Sequence, residues 1–295
     1  MANAINYAQK YTQELDQVFQ QSMLTTELET PSVNWLDAKT FHVPSISLTG
    51  YKNHSRNGGF NRGDVTTTNE PYTLSFDRDV EFFVDVMDVD ESNQAASAAN
   101  ITRTFITEHA APEIDAYRFS KLATKSIDKN LATAEDLTKD TVYPAIKRDI
   151  LKVRKYGPAN LVCYISSQTM DALEQCQDFN RQIQVQNQGT AIETRVTSID
   201  GVRLVEVWDS NRFHTSFDFT TGFQSATGSF ALNWIIVYKG SIVAKVKQSS
   251  IYLFAPGQHT QGDGYLYQNR LYHDLFVLKN KADGVVTSHV TTAQA

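Results

Sequence analysis

Tyr72, Leu74, Phe76, Val80, Phe82, Val84 and Val86 share one parity, and the positions between them include Thr73, Ser75, Asp77, Asp79, Glu81 and Asp85. This period-two alternation predicts a strand with one apolar and one polar face. Unbroken, it would run for roughly 15 residues and span about 50 Å, where ordinary strands have about five or six residues. Upstream, Phe41 to Leu48 is a second extended stretch, with Ile46 and Leu48 in alternation. The segment between them, Gly50 to Asp64, is glycine-rich, polar and charged, and reads as a loop. Together they predict a long hairpin that projects beyond a compact body. Its exposed edges need covering, and a partner chain could do it.

Helical periods appear elsewhere. Ala4, Ala8, Tyr11, Leu15, Val18 and Ser22 recur at spacings of three and four before Pro31 breaks the pattern. This helix either packs on its own core or is an arm that docks on another subunit through Tyr11, Leu15 and Val18. Gln94 to Ser126 predicts a long helix, with Ile106, Ala110, Ile114 and Tyr117 on one face and Phe105, Phe119 and Leu122 close to it. Pro112 lies inside and should kink or split it. Thr133 to Asp136 resembles a capping box before a second helix whose apolar face is Val142, Ile146, Ile150 and Val153. Gly157-Pro158 ends that helix. Leu161 to Ile165 predicts a buried strand and Gln168 to Cys176 a short helix. The rest reads as β: Arg195–Ile199 and Val202–Val207 around an Asp200-Gly201 turn, then Trp234–Tyr238, Ile242–Val246, Ile251–Phe254 and Arg270–Leu278. A final Asp283-Gly284 turn would allow one more hairpin with Val285 and Val286. The class is α+β.

Composition narrows the picture. With 41% hydrophobic and 20% charged residues over 295 positions, the chain is not disordered. The longest apolar run, Trp234 to Tyr238, is far short of the ~20 residues of a membrane helix. No basic region followed by an apolar core opens the chain, so neither a signal peptide nor a membrane partner is expected. Only Cys163 and Cys176 are present, which argues against a disulfide framework and fits a reducing compartment. A net charge of −6 makes the whole chain a poor ligand for nucleic acid or anionic lipid.

Chemical motifs are sparse. There is no Walker A sequence, dinucleotide fingerprint or His-Glu-x-x-His run, and the cysteines lack C-x-x-C spacing. No catalytic residue, metal or cofactor is expected. Asp85, Asp88, Asp90 and Glu91 do not match a calcium loop and read as a solvated strand end. Lys147, Arg148, Lys152, Arg154 and Lys155 lie opposite the apolar face of the second helix and read as a solvated face. Arg62-Gly63-Asp64, the tripeptide that integrins read, is attributed to chance.

The order of elements, together with Arg56-Asn-Gly-Gly-Phe60, Pro112-Glu-Ile-Asp-Ala-Tyr-Arg-Phe-Ser-Lys-Leu-Ala123, Ile199-Asp-Gly-Val-Arg203 and Tyr272-His-Asp-Leu-Phe-Val-Leu-Lys-Asn280, resembles the major capsid proteins of tailed bacteriophages. These have the fold named for phage Hong Kong ninety-seven, and the likeness is to phages and prophages of Gram-positive hosts. It runs from about residue 35 to the end. It implies an N-terminal arm over 1–34, an extended loop over 35–78, a peripheral domain over 79–128 and 256–295 built on a spine helix, and a mixed α/β axial domain over 129–255. In the loop, Tyr51, Lys52, Arg56, Gly58, Gly59, Phe60, Arg62 and Asp64 would touch a neighbouring subunit. In the spine, Ile114, Asp115, Tyr117, Arg118 and Phe119 would be structural.

The function so implied is a homo-oligomeric shell protein, assembled as pentamers and hexamers in the host bacterial cytoplasm and carried in the virion. It would enclose DNA without specific binding. Many members carry a long N-terminal scaffolding segment. Only residues 1–34 precede the hairpin here, so the resemblance implies a separate scaffolding protein, and a portal, as partners, or a mature form. The type member cross-links lysine to asparagine. Lys52, Asn53, Asn57 and Asn61 lie in the loop, but no motif fixes that chemistry. An encapsulin-like compartment shell and an unrecognised α+β enzyme are the alternatives.

Overall fold

The long alternation is two strands, not one, in the computed structural model, which describes residues 22–30, 39–54, 58, 60–91, 98–176 and 196–294. The N-terminal helix with Tyr11, Leu15 and Val18, and loop residues Arg56 and Gly59, lie outside the described residues. Strands β1 (Thr40–Leu48) and β2 (Val65–Thr73) form an antiparallel ribbon in register from Thr40–Thr73 to Leu48–Val65. β3 (Phe76–Asp85) follows after two residues that leave the ladder. The Leu74 amide donates to the Lys39 carbonyl (3.0 Å), and the Ser75 amide donates to the Asp274 carboxylate (3.0 Å). Side-chain parity continues through this break. The pairing partner changes, and parity carries no information about that.

Asp85 ends β3 and accepts the Met87 amide at 2.9 Å, an N-cap contact that turns the chain into helix α1 (Val86–Glu91). Asp88, Asp90 and Glu91 therefore sit on a helix, not on the strand end expected of them. The long helix is α2 (Ala98–Phe105), a π segment (Ile106–Ala110) and α3 (Ala111–Asp128). The interruption expected at Pro112 is this widened π turn. It stands where the missing N–H and the ring of proline would otherwise meet the preceding carbonyl.

β4 (Ala132–Ala134) occupies the place of the expected capping box. Asp136 instead accepts the Thr291 amide and hydroxyl, and helix α4 (Val142–Val153) starts six residues after Asp136. Its apolar face is as the spacing predicts: Val142, Ile146, Ile150 and Val153 are all buried. β5 (Leu161–Ser166) leads into α5 (Ser167–Glu174), with the Ser166 hydroxyl accepting the Thr169 amide. β6 (Ser198–Ile199) and β7 (Val202–Val207) form the expected hairpin. Asp200 and Gly201 take φ of +50° and +79°, the left-handed pair this turn requires.

β8 (Phe217–Asp218), β9 (Gln224–Ser225), β10 (Phe230–Tyr238), β11 (Ile242–Phe254), β12 (Gly264–Val277) and β13 (Val285–Ala293) complete the chain. The two stretches expected at 242–246 and 251–254 are the ends of one strand, β11, with a register shift between Val246 and Gln248. Asp283-Gly284 is not a hairpin turn. It belongs to a 3-10 segment, Lys279–Gly284, and β13 pairs with β10 and β4 instead of doubling back on β12.

Two sheets organise these elements. The larger has the order β4-β13-β10-β5-β7-β6, and the smaller β11-β12-β3. The larger is apolar on both faces. Cys163, Ile165, Trp234, Ile236 and Val286 face α4 and α5. Val162, Tyr164, Ile235, Val237 and Val285 face α3 and the proximal ends of β11 and β12. Strand β11, expected with the axial block, pairs in the smaller sheet, and β13, expected with the peripheral block, pairs in the larger. A boundary at 255/256 therefore cuts across both sheets.

Phe119 lies at the centre of this arrangement, fully buried, with ring contacts to Tyr164 and Phe213. Replacing it by Ala removes a ring that no neighbour can replace, at a cost of about 3–5 kcal/mol. Urea unfolding of Phe119→Ala beside the parent should show this as a lowered midpoint with unchanged slope.

Candidate functional site

The ribbon β1–β2 changes character along its length. Near its root Phe41 is buried, and Val43, Glu70 and Tyr72 are half-buried. Beyond Ser45 both faces of both strands are exposed. Ile46 (66% exposed), Leu48 (68%) and Val65 (69%) project into solvent, and Tyr51 and Phe60 at the tip are fully exposed. Two-stranded ribbons are marginal by themselves, and exposed apolar strands mark contact surfaces. Pro44 and Pro71 are tolerated because each strand pairs on one side only.

The tip is tied internally. The Thr49 amide donates to the Asp64 carbonyl (3.1 Å), the Lys52 ammonium to the Arg62 carbonyl (3.0 Å), and the Asn61 side-chain amide to the Asn53 carbonyl (2.8 Å). Of the loop residues singled out from sequence, Tyr51, Lys52, Gly58, Phe60, Arg62 and Asp64 are exposed here. Among the described residues, the hydrogen bonds of this tip stay within the loop.

The root is held firmly. Phe41, Tyr72 and Phe276 form a ring cluster with centroids 5.3–5.6 Å apart. The Tyr272 hydroxyl donates to the Leu74 carbonyl (2.8 Å). Asp274, almost fully buried, accepts the Ser75 amide and hydroxyl on one oxygen and the Tyr117 hydroxyl (2.8 Å) on the other. Burial, with the Asp274 charge beside it, pushes the Tyr117 hydroxyl far above the usual phenol range, so it stays a donor. Through Asp274 the arm is bolted to the spine helix.

The spine residues Ile114, Asp115, Tyr117, Arg118 and Phe119 are all buried. Asp115 accepts the Leu24 amide (2.9 Å), the Thr25 amide (3.1 Å) and hydroxyl (2.7 Å), and pairs with Arg212 (3.3 Å). Arg118 donates to the Thr25 carbonyl (3.0 Å) and to Glu29 (2.8 Å). Glu27 of the same segment accepts from Tyr164, Arg203 and Lys239 of the larger sheet and the segment after it. Residues 22–30 are thus a clasp joining the spine helix to the large sheet. The Thr30 amide continues it to Ala244 of β11 (2.9 Å).

Sequence reasoning missed this clasp with its partner Arg212, and it missed Asp274 at the root of the arm. The available signal was Asp115 and Arg118 one turn apart within an otherwise apolar stretch, where charges persist only if paired. The basic run of α4 is matched by carboxylates: Lys147 with Asp200, Arg148 with Glu135, Lys152 with Asp149 and Lys155 with Asp283. Both cysteines are free and buried.

No protein-family model matches the sequence, and no curated protein matches it. Solved structures do match in fold. A chain from Mycobacterium phage Che8 superposes with a TM-score of 0.67 at 14% identity, over 98% of each chain. The capsid structure of cyanophage P-SCSP1u gives 0.71 at 11% identity, over 97% of this chain and 93% of that one. The mature capsid of bacteriophage PhiM1 gives 0.67 at 12%, over 98% and 93%. At such identities the likeness establishes the fold, and this chain has the fold of these phage capsid chains.

Two outcomes follow from the buried groups. Asp115→Ala leaves Arg212 and the Leu24 and Thr25 amides without their carboxylate, so a loss of about 3 kcal/mol is expected. Limited proteolysis should then cut within residues 22–30 faster than in the parent. His273 is buried beside Arg118, the Tyr117 ring and the Phe76 ring, and its pKa is pushed down to about 3, first by burial and then by the Arg118 charge. The unfolded chain, with an ordinary histidine near 6.5, takes the proton first, so this group contributes a loss of stability as pH falls below about 6.5. At pH 5 the loss is about 2 kcal/mol. His273→Leu should flatten stability between pH 7 and 5 in urea melts. An unchanged slope would assign the acid sensitivity elsewhere.

Proposed function

We propose that this chain is a major capsid protein, which assembles as pentamers and hexamers into the icosahedral shell enclosing a phage genome. The observation that carries the reading is the arm. A firmly rooted ribbon ends in a tip whose apolar side chains face water, on a body that has the fold of phage capsid chains. A free monomer gains nothing from such a tip, whereas a subunit among many copies can bury it on a neighbour. The role is structural and not enzymatic.

In this reading the smaller sheet with the spine helix is the peripheral part, and the larger sheet with α4 and α5 is the axial part. A separate scaffolding protein and a portal act during assembly in the host cytoplasm. The DNA is enclosed without specific recognition. The acidic net charge and the carboxylate-matched basic run of α4 support weak contact with the genome.

Electron microscopy of the protein produced alone, and with its neighbouring phage genes, tests the reading. Closed shells are expected, and particles filled with DNA distinguish a virion from a compartment that packs protein. Persistently monomeric protein would return the enzyme alternative. The arm helix is tested beside it. Tyr11, Leu15 and Val18, buried on a neighbour, contribute roughly 1.5–3 kcal/mol each. Replacing all three by Ser should leave the melting temperature of the free subunit nearly unchanged while closed shells largely disappear. A collapsed melt would place the helix in its own core.

A further inference from the structure

We propose that one end of the larger sheet is a phosphate-binding rim, through which each subunit holds the backbone of duplex DNA without reading its sequence. The proposal rests on the capsid reading above and adds the surface on which the genome lies.

Strand directions bring the rim together. β10 ends at Tyr238 opposite Leu161, the first residue of β5, and Val237 stands opposite Val285, the first of β13. β7 begins at the same end, with Arg203 beside Val162. Four connections therefore gather there: Arg154–Tyr156 with the chain that leads into β5, the Asp200-Gly201 turn, Lys239–Ser241 and Lys279–Gly284. Connections at the end of a sheet are ordinarily polar. The sign of the charge sets this end apart.

Arg154, Lys155, Arg203, Lys239 and Lys281 share two carboxylates on the rim. Glu27 is divided between Arg203 (3.1 Å) and Lys239 (3.0 Å), and Asp283 between Lys155 and the Tyr156 hydroxyl. Lys281 donates to the Gly240 carbonyl (3.3 Å). Among the described residues, neither Lys281 nor Arg154 pairs with a carboxylate. Five cations on two carboxylates leave an excess of three, on a chain whose net charge is −6. At the margins Lys147 cancels Asp200, and Lys279 cancels Glu70. The field left at this end is positive against an acidic background.

Two of the cations are held in place. Tyr156 and Tyr238 stack with ring centroids 4.3 Å apart and planes 10° from parallel. The Lys155 ammonium lies 5.1 Å from the centre of the Tyr156 ring, and the Lys281 ammonium 5.9 Å from that of Tyr238. Gly240 leaves room for this, since a Cβ there would stand 2.6 Å from the Tyr238 ring. Burial and the bond to Asp283 push the Tyr156 hydroxyl up to about 12, so it stays a neutral donor. Ammonium groups already fixed on ring faces lose less freedom when a phosphate arrives. Arg154 and Arg203 add guanidiniums, whose forks match phosphate oxygens. Contacts to phosphate carry no sequence information, which suits a genome of any sequence. An excess of three charges matches weak binding, on the order of 10⁻⁵ M at physiological salt. Many copies in a shell would sum it over the genome.

Anisotropy of labelled random-sequence duplex DNA, titrated with free subunits between about 50 and 200 mM salt, tests the site. The logarithm of the affinity should fall against that of salt with a slope of about −3. Arg154→Gln with Lys281→Gln removes two cations without stranding a carboxylate. The pair should flatten the slope to about −1 and weaken binding at the lowest salt by about tenfold, with a melting temperature nearly unchanged. Lys121→Gln with Lys139→Gln, two cations off the rim, is the control and should change neither. A loss that follows the control pair instead would overturn the rim. Displacement of the DNA by polyglutamate of matched charge as readily as by unlabelled DNA would assign the rim to an acidic polypeptide and overturn the phosphate site. Amine labelling of shells gives a second readout. Lys155, Lys239 and Lys281 should react several-fold more slowly in DNA-filled than in emptied shells, and equal reactivity would overturn the genome contact. Shells that fill while free subunits show no salt-dependent binding would overturn the rim and leave the capsid reading intact. Salt-dependent binding by a protein that forms no shells would overturn the capsid reading and leave the phosphate site standing.

Discussion

One buried turn of helix α3 holds the molecule together. Asp115 and Arg118 together fasten the N-terminal clasp, and Tyr117 fastens the root of the arm. Asp115 takes the amides of residues 24 and 25 and the guanidinium of Arg212. Arg118 takes the next carbonyl and Glu29. Tyr117 reaches Asp274, and through it Ser75 at the root of the arm. A helix packed between two sheets has no water to offer its polar side chains, so each must find a partner within the protein. The partners it finds are segments 90 to 160 residues away in sequence, and this is what sets the N-terminal clasp, the arm and the two sheets in fixed relation.

That relation explains the contrast along the arm. The root is rigid because a buried carboxylate, a ring cluster and two carbonyl contacts over-determine it. The outer part has cross-strand hydrogen bonds and little else. The apolar side chains there contribute nothing to the isolated subunit, and their presence in a chain otherwise well packed is the mark of a surface completed by association. Root and tip differ in kind: the root is fixed by buried contacts, and the tip is exposed.

The carboxylate pairing of α4 makes a similar point about charge. Five basic residues within nine positions look in sequence like a patch for a polyanion. In the fold, four of them face carboxylates from Glu135, Asp149, Asp200 and Asp283, three of which come from other elements. A charge run acts on a distant partner only through the field left after its neighbours are counted.

Periodicity alone determined the elements that depend on local side-chain spacing: the strand parity from Tyr72 to Val84, the buried face of α4, the core strand at 161–165, and the Asp200-Gly201 turn, where left-handed backbone favours those residue types. The exposed tip was legible for the same reason, since a polar, glycine-rich loop between alternating stretches has few other places to go. Partner choice was decided by the tertiary structure. Leu74 and Ser75 keep the alternation, yet the ladder breaks there because Asp274, 199 residues on, offers a better acceptor to the Ser75 amide. Asp283-Gly284 has the composition of a hairpin turn, yet β13 crosses to β10, because β11 and β3 already occupy both edges of β12. The clasp of Asp115 with residues 24 and 25 unites groups with no sequence relation. Pattern reports what a residue presents to its surroundings, and only the folded chain supplies the surroundings.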